Sequence, residues 1–507
     1  MKKNISYMIM AALSAMALFA AASCTKFLEE NPKTFVSTVN YFTSVDRMAA
    51  AVNGMYVDYQ FMTFTGDLGI MDLRYSFLEY LAGNTYNDNS KTSSQSEAFD
   101  MDVTDINVYV GITWTNLYAA IENCNSVIAG IEGSTFEMDQ NLKNQFLGEA
   151  YGLRGFYYFV LTKWWERVPL KLTPTTGLEG AELAPDSAED VYTSIVSDLQ
   201  KATELMKNCS WVNNNGHFSR AAVTATLTKV YLTMAGYPLQ KGAEYYQKAY
   251  EEGIKLINSG SYRLAVDYDV LRNDLMSCTG EYIWCHHPTN NNKNYPYLTG
   301  MIPAPIDGHS IVAKNNTHAE AMVPDPYFVS SFEEGDLRAA EGNYFFTKYK
   351  ASDDANLILD FGKEYIFKFW DESIEQTGTS AQPFPYIRYA DVLLMVAEAK
   401  ACADGGSTND AAAIDAYWQV RNRAFPNGIK PSSITFEQVY KEREWELCFE
   451  AQGWYDIQRT RKIVNHVTGQ VVDAIGYTPG PHTAPYEASD FVFPYPQNEV
   501  RVNPNLK

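Results

Sequence analysis

The chain has 507 residues, of which 46% are hydrophobic and 14% aromatic, so it carries enough apolar material for a large core. This composition excludes a disordered or fibrous chain, and the length excludes a small domain that depends on disulfides or metals to fold. Lysine and arginine number 40 against 61 aspartates and glutamates, which gives a formal charge of −21. So acidic a chain repels phosphate backbones, and we therefore expect no nucleic-acid partner.

The first 24 residues have the pattern of a bacterial export signal. Lys2 and Lys3 precede an apolar run over 5–22 that ends in small residues, as in a secretory signal peptide. Cys24 follows directly, as in a lipobox, where the thiol is acylated and becomes the new N-terminus. We predict that residues 1–23 are removed and that palmitate-type chains on Cys24 anchor the protein to a membrane without spanning it. An ordinary cleaved signal with an unmodified cysteine is the alternative.

Helical periodicity dominates the mature chain on both sides of a less regular centre. Apolar stripes with helical spacing occur over 117–131, 146–164, 191–206, 223–234, 241–258, 392–402, 414–424 and 435–452. Helices in pairs with short connections are typical of TPR-like packing. We predict a mainly α fold in which TPR-like helix pairs form one core, at about 40–258 and 386–465. An irregular, loop-rich lobe with short strands is expected at about 259–385, and an extended tail over 466–507.

The cysteines and histidines give no clear metal site. The six cysteines after Cys24 lie far apart, and no pairing follows from their order. Four of them fall in predicted helices or strands, where we expect buried free thiols. His286 and His287 lie near Cys278 and Cys285, but neighbouring residues on a strand point to opposite faces. We therefore predict neither a metal nor another cofactor.

An acidic and basic cluster near the C-terminus has the spacing of a structural ion network. Arg443, Glu446 and Glu450 are at i, i+3 and i+7 of a predicted helix, hence on one face, where opposite charges pair. Arg421 and Arg423 on the preceding helix extend this set to a buried network. A carboxylate held by arginine has a lowered pKa and is a poor general acid. We therefore predict structural ion pairs and no catalytic residue.

A surface glycoside hydrolase that uses Glu444 or Glu446 is the enzymatic alternative, and it needs two carboxylates in one cleft. If both side chains are buried against arginine, this hypothesis fails.

Two segments, 74–89 and 287–297, combine tyrosine with amide and charged side chains, and we predict that both are loops. This combination suits sugars, whose flat C–H faces stack on aromatic rings and whose hydroxyls need hydrogen-bond partners. The predicted ligand-binding residues are Arg74, Asn84, Tyr86, Asn87, Asp88, His287, Asn292, Tyr295 and Tyr297.

Several segments, in order along the chain, resemble the SusD/RagB family of Bacteroidetes outer-membrane lipoproteins. They are the opening over 24–32, Leu153-Arg-Gly-Phe-Tyr-Tyr-Phe159, Arg388-Tyr-Ala-Asp-Val-Leu-Leu-Met-Val-Ala-Glu-Ala399, Val420-Arg-Asn-Arg-Ala424, the acidic stretch over 442–450, and Phe493-Pro-Tyr-Pro496. Each segment is degenerate alone, but the ordered set spans the mature chain. Asp391 departs from the pattern, since the family usually has glutamate there.

The resemblance implies a binding role without catalysis. Such proteins are similar to a lid on a SusC-like TonB-dependent transporter at the outer face of the outer membrane. They hold an oligosaccharide, or a peptide in RagB-like members, and pass it to the transporter. The helical side faces the transporter, the irregular lobe presents the ligand surface, and the acid–arginine positions belong to the scaffold. A TPR-like scaffold that binds only proteins remains an alternative from another class.

Overall fold

The computed structural model describes residues 41–56, 74–89, 91–177, 182–212, 216–286, 300–313, 319–377, 380 and 382–506. Cys24 and the predicted signal peptide lie outside these ranges, and so do His287, Asn292, Tyr295 and Tyr297. The backbone of Arg74 is described, whereas its side chain is not. Within the described ranges, no helix has the length and apolar character needed to cross a bilayer.

The N-terminal part is a succession of helices that pack in chain order. They are α1 (Val45–Gly54), α2 (Arg74–Ala82), α3 (Ser93–Asp100), α4 (Val108–Glu132), α5 (Gln140–Trp165), α6 (Ala188–Leu205), α7 (Arg220–Ala235) and α8 (Ala243–Asn258). Asn107, Asp139, Ser187 and Ser219 cap α4 to α7, because each side chain accepts a hydrogen bond from a backbone N–H of the first turn. Helix α5 packs against α4 and α6, and α7 against α6 and α8, as the predicted helix pairs require.

Short antiparallel strands and small helices form the irregular lobe, as predicted. Its elements are β1 (Thr85–Tyr86), α9 (Tyr268–Ser277), β2 (Tyr282–His286), β3 (Val323–Pro324), α10 (Pro326–Ser330), β4 (Phe345–Lys350), β5 (Ile358–Ile366) and α11 (Ser373–Thr377). Strand β1 pairs with β3 and β4 with β5, and each pair is a separate two-stranded sheet.

The C-terminal part returns to helices and joins the N-terminal core. Its elements are β6 (Phe384–Arg388), α12 (Tyr389–Ala403), β7 (Ser407–Thr408), α13 (Ala411–Ala424), β8 (Ile434–Thr435), α14 (Phe436–Leu447), α15 (Gly453–Thr460), β9 (Lys462–Asn465), β10 (Gln470–Asp473) and α16 (Gln497–Val502). Strand β6 pairs with β2, and the central helix α12 is almost wholly buried against α8 and α13. The prediction of one helix over 435–452 is wrong, because α14 ends at Leu447 and α15 begins at Gly453.

The last residues run back over the N-terminal helices. The Phe493 N–H donates to the Trp164 carbonyl at 2.8 Å, and the Trp165 indole N–H donates to the Pro494 carbonyl at 2.9 Å. The Tyr486 hydroxyl donates to the Leu81 carbonyl at 2.6 Å. These contacts tie the C-terminal tail to α2 and α5.

Cys278 and Cys285 form a disulfide that joins the end of α9 to β2. The expectation that a cysteine in a predicted strand stays a free thiol is therefore wrong for Cys285. The bond also removes both sulfurs from the metal site that was considered there. Cys124 and Cys448 are buried free thiols, as expected for cysteines inside helical packing.

Candidate functional site

The first predicted ligand segment is held on the lobe by strand pairing. In the pairing of β1 with β3, Tyr86 lies opposite Val323. The Asp88 N–H donates to the Glu320 carbonyl at 3.0 Å, which extends the contact beyond the strand. The segment is therefore not the single loop that was predicted. It begins as helix α2 and continues into strand β1, which is held by its pairing with β3.

Four side chains of this edge form a mixed aromatic and charged surface, which we name the Tyr86 patch: Tyr86, Asp88, Glu320 and Lys363. The Lys363 Nζ lies 2.6 Å from an Asp88 carboxylate oxygen and 3.4 Å from a Glu320 carboxylate oxygen. The ammonium also lies 5.9 Å from the Tyr86 ring centre, within cation–π range. Burial by itself would lower the pKa of Lys363, but hydrogen bonds to Asp88 and Tyr365 outweigh it and raise that pKa.

The patch is accessible from solvent. Asp88 is exposed, and Tyr86, Glu320 and Lys363 are half-buried. A half-buried tyrosine beside two carboxyl groups and an ammonium offers a ring for stacking and several hydrogen-bond partners around it. This arrangement suits a neutral, hydroxyl-rich ligand. No cluster of three or more potential metal ligands occurs among the described residues.

The chain that follows the second predicted segment returns to the same place. The Gly300 carbonyl accepts a hydrogen bond from the Met322 N–H, and the Ile302 carbonyl accepts one from the Glu320 N–H, both at 2.8 Å. Met322 directly precedes Val323, the partner of Tyr86. Residues 300–302, beyond that segment, are therefore bonded to the chain that leads into β3, the strand paired with Tyr86.

Asn84 and Asn87 do not lie on the surface, and their prediction as ligand contacts is corrected. Asn84 is 2% exposed and Asn87 is 5% exposed. The Asn84 carbonyl accepts from the Asp325 N–H at 2.9 Å, and the Asn87 side-chain oxygen accepts from the Asn89 N–H at 2.8 Å. Composition cannot separate an amide that anchors a turn from one that faces a ligand. The Asn87 side chain holds the turn at this edge, whereas Asn84 contributes through its backbone carbonyl.

Lys363 and Glu320 were not predicted, although both belong to the patch. They lie far from Tyr86 in the sequence, and Lys363 is separated from Asp88 by 275 positions. Only the fold brings them together, so no local signal marks them.

The predicted ion network is present and buried, with Glu446 at its centre. The Glu446 carboxylate lies 2.6 Å from Arg423, 2.7 Å from Arg388 and 3.2 Å from Arg338. Burial by itself would raise the pKa of Glu446, but Arg423, Arg388 and Arg338 outweigh it and hold that pKa well below its usual range. Arg338 and Arg388 were not predicted as members.

The pairing within the predicted helix is wrong. Arg443 does not pair with Glu446 but lies 3.0 Å from Asp391 and 3.0 Å from Asp456, in a second buried cluster. Glu450 follows the end of α14 and lies 2.8 Å from Arg388. The partners come from other elements because α14 is buried, and buried charges need partners on the helices packed against them.

The two carboxylates of the hydrolase hypothesis differ: Glu446 is buried against arginine, the condition under which that hypothesis fails, whereas the described partner of Glu444 is His466. Glu446 is inaccessible, and Glu444 lies 3.0 Å from the His466 ring nitrogen. Arg421, as predicted, joins the network at its edge through Glu442 at 3.1 Å. An inaccessible carboxylate that is paired with arginine, as Glu446 is, cannot protonate a leaving group.

The structure combines stacked helices with a loop-rich lobe. Its buried carboxylates are held in ion pairs, and the aromatic patch on the lobe is accessible. Together these features define a binding scaffold. A family model described as "SusD family" matches residues 314–507, and one described as "Starch-binding associating with outer membrane" matches residues 26–232. The chain belongs to the SusD family, as its motifs predicted. The mainly α fold with short strands is confirmed as well.

Individual relatives cover nearly the whole chain. The crystal structure of a SusD superfamily protein from Parabacteroides distasonis ATCC 8503 is 31% identical with a TM-score of 0.83, over 91% of this chain and 98% of that chain. SusD-like protein P25 from Formosa agariphila is 22% identical over 528 residues, 96% of each protein. Surface glycan-binding protein A from Bacteroides uniformis, at 18% identity, has a TM-score of 0.72 over 92% of this chain and 99% of that chain, and shares the fold.

Proposed function

We propose that this protein is a cell-surface glycan-binding lipoprotein that captures an oligosaccharide and delivers it to a SusC-like TonB-dependent transporter. The main support for the proposal is the Tyr86 patch. In this patch a half-buried ring lies beside Asp88 and Lys363, and its strand, β1, is held by pairing with β3. The name of the Bacteroides uniformis relative and the description of the second family model point to the same ligand class.

The patch gives this ligand class a physical basis. A sugar ring stacks its C–H face on the Tyr86 ring, and its hydroxyls donate to Asp88 and Glu320 and accept from Lys363. Lys363 also neutralises part of the carboxylate charge, so the patch does not demand a cationic ligand. In this proposal Tyr295, Asn292, His287 and Tyr297 contribute further contacts, and these residues remain predictions.

Anchoring and orientation are part of the same proposal. Cys24 carries the lipid, the outer membrane holds the chain, and the body faces the cell exterior. The second family model, described as associating with the outer membrane, supports this location. We propose no catalysis, because the strongest acid candidate, Glu446, is inaccessible and paired with three arginines.

The test is binding of the purified full chain in detergent to an array of oligosaccharides and peptides. We expect neutral glycans to bind and peptides not to bind. For the best glycan, Tyr86→Ala should weaken binding by about tenfold, since loss of one aromatic platform costs roughly 1–3 kcal/mol. Isothermal titration calorimetry of the native chain and the variant measures the difference.

Tyr245→Ala is the matched control, because Tyr245 is also a half-buried tyrosine beside a lysine, but on α8 of the helical core. It should leave glycan affinity unchanged. Binding of peptides and no glycan would identify a RagB-like peptide carrier instead. Equal glycan affinity of the native chain and Tyr86→Ala would place the ligand surface elsewhere.

A further inference from the structure

A cavity of about 70 Å³ lies within the helical core, away from the Tyr86 patch. Helices α5 and α7, strand β6 and the turn before α15 supply most of its walls. The walls are mostly apolar, with Phe156, Val160 and Trp164 on α5 and Ala225 on α7. A smaller cavity of about 30 Å³ shares part of this lining, including Lys163 and Tyr455.

Two buried hydroxyls line the larger cavity without a partner. Thr113 on α4 is 0% exposed and Thr226 on α7 is 3% exposed. Neither hydroxyl has a hydrogen-bond partner in the described part of the chain. A buried hydroxyl without a partner is unfavourable, and each of these two retains an unused donor.

Lys163 brings an ammonium to the same cavity. Its Nζ lies 3.8 Å from the Tyr455 ring centre and 4.8 Å from the Phe159 ring centre. No carboxylate forms an ion pair with it among the residues that the structure describes. Burial first, and repulsion by Lys229 second, lower the pKa of Lys163 well below its usual range, although Asp391 and Asp456 act in the opposite direction. A nearby anion would therefore favour the ammonium form of Lys163.

The neighbouring lysine, Lys229, differs from Lys163 because it has an ion-pair partner inside the fold. The Lys229 Nζ lies 2.6 Å from an Asp391 carboxylate oxygen and 2.8 Å from the Gln452 side-chain oxygen. Its charge is therefore balanced inside the fold.

Glu450 lines the same cavity but is paired with Arg388. Asp391 and Asp456 act on Lys163 from beyond ion-pair distance and are paired with other cations. Lys163 therefore has aromatic faces but no carboxylate of its own, and an anionic group in the cavity would supply that partner.

We propose that this cavity is a binding site for a small monocarboxylate with a short apolar chain, whose carboxylate pairs with the Lys163 ammonium. The hydroxyls of Thr113 and Thr226 are donors available to the same ligand, and the apolar walls take its chain. The volume is about half of the roughly 150 Å³ engineered cavity that binds benzene, so an acid of about two or three carbons fits. This site is independent of the proposed glycan function.

Calorimetric titration of the purified full chain with propionate tests the proposal, with propionamide as the neutral ligand of the same shape. We expect one propionate per chain and at least about tenfold weaker binding of propionamide, because hydrogen bonds to a charged group contribute roughly 1.5–3 kcal/mol. Lys163→Met keeps the apolar stem and removes the ammonium, so it should reduce propionate affinity by about tenfold or more.

Further variants separate this role from folding. Lys201→Met replaces an exposed lysine on α6 and should bind propionate like the native chain. Thr226→Val keeps the side-chain shape and should weaken binding severalfold, and Tyr86→Ala should leave it unchanged. Absence of propionate binding, equal binding of propionamide, or native propionate affinity in Lys163→Met would each overturn the proposal.

Discussion

Glu446 shows how a single side chain organises the buried charges of this fold. Its carboxylate is fully buried and lies within 3.2 Å of Arg338, with Arg388 and Arg423 closer still. Removing its charge takes one buried carboxylate partner from each of these three guanidiniums, which have no access to water. We expect Glu446→Gln to lower the free energy of unfolding by about 3–5 kcal/mol, the cost of breaking a buried ion pair.

Equilibrium urea denaturation measures this loss. Glu437→Gln on the same helix is the control, since Glu437 is exposed and its replacement should change stability by less than about 0.5 kcal/mol. If Glu446→Gln also remains within that range, the network does not hold the fold together.

His482 gives stability a pH dependence. Its ring is buried, and Nε2 lies 2.6 Å from the Tyr80 carbonyl oxygen. Burial lowers the pKa of His482 from 6.5 to about 4. As the pH falls from 6.5 to 4, the unfolded chain takes up a proton that the folded chain does not. His482 therefore favours unfolding below its ordinary pKa, by about 3 kcal/mol in total once the pH has fallen to about 4. Above its ordinary pKa it has no such effect.

His482→Gln keeps a donor for the Tyr80 carbonyl but does not titrate. Its stability should therefore fall less on acidification, and the difference from the native chain should change by about 3 kcal/mol between neutral pH and about pH 4. Parallel urea series at several pH values measure this difference. Ile429→Gln, at an exposed residue that does not titrate, should run parallel to the native curve. A constant difference between His482→Gln and the native chain would contradict the assignment.

At the scale of elements, two glycines in helices have opposite requirements. A methyl group at Gly253 on α8 would lie 2.5 Å from Val396 Cγ2 and 3.2 Å from Thr228 Cγ2, where α12 and α7 pack. At Gly111 on α4, none of the described atoms lies within 4 Å of such a methyl group. We expect Gly253→Ala to cost about 1–3 kcal/mol through overpacking. Gly111→Ala should stabilise by about 0.5–1 kcal/mol, since alanine suits a helix interior better. Thermal unfolding of both variants measures the signs, and equal signs would contradict the close packing of α8.

The end of α14 shows where periodicity fails as a predictor. The apolar and charged stripes continue in phase to Glu450, which is why one helix over 435–452 is predicted. The chain leaves the helix earlier because the Lys368 ammonium binds the carbonyls of Glu446 and Cys448, at 2.8 Å and 2.9 Å. Phe449 then adopts a positive φ of 64°. A lysine about 80 positions earlier in the chain ends the helix, and no local pattern contains it.

The same limit applies to the candidate site. Composition indicates Tyr86 and Asp88 correctly as accessible residues of the lobe edge. It cannot find Lys363, whose position beside Asp88 depends on the pairing of β1 with β3 and on the course of β5. Helix positions and family motifs are therefore readable from the sequence, whereas side-chain partners across elements are not.

At the scale of the whole molecule, the C-terminal tail adds a contact between the N- and C-terminal helices, which also pack directly through α8 and α12. Phe493 is 4% exposed, and its ring centre lies 5.0 Å from that of Trp164 on α5 and 6.3 Å from that of Trp454 on α15. Its side chain therefore joins one helix of each part. We expect Phe493→Ala to lower the free energy of unfolding by about 3–5 kcal/mol, through loss of burial and an unfilled cavity.

Whether the N- and C-terminal helices unfold together or separately distinguishes one shared core from two separate cores. Because Phe493 contacts both parts, helix content by circular dichroism and tryptophan fluorescence should shift together to lower urea in Phe493→Ala. Val492→Ala, at the neighbouring residue with 38% exposure, should shift neither signal, since exposed positions contribute less than about 0.5 kcal/mol. If only the fluorescence transition moved, the N- and C-terminal helices would unfold separately. The tail would then contact two independent cores rather than one shared core.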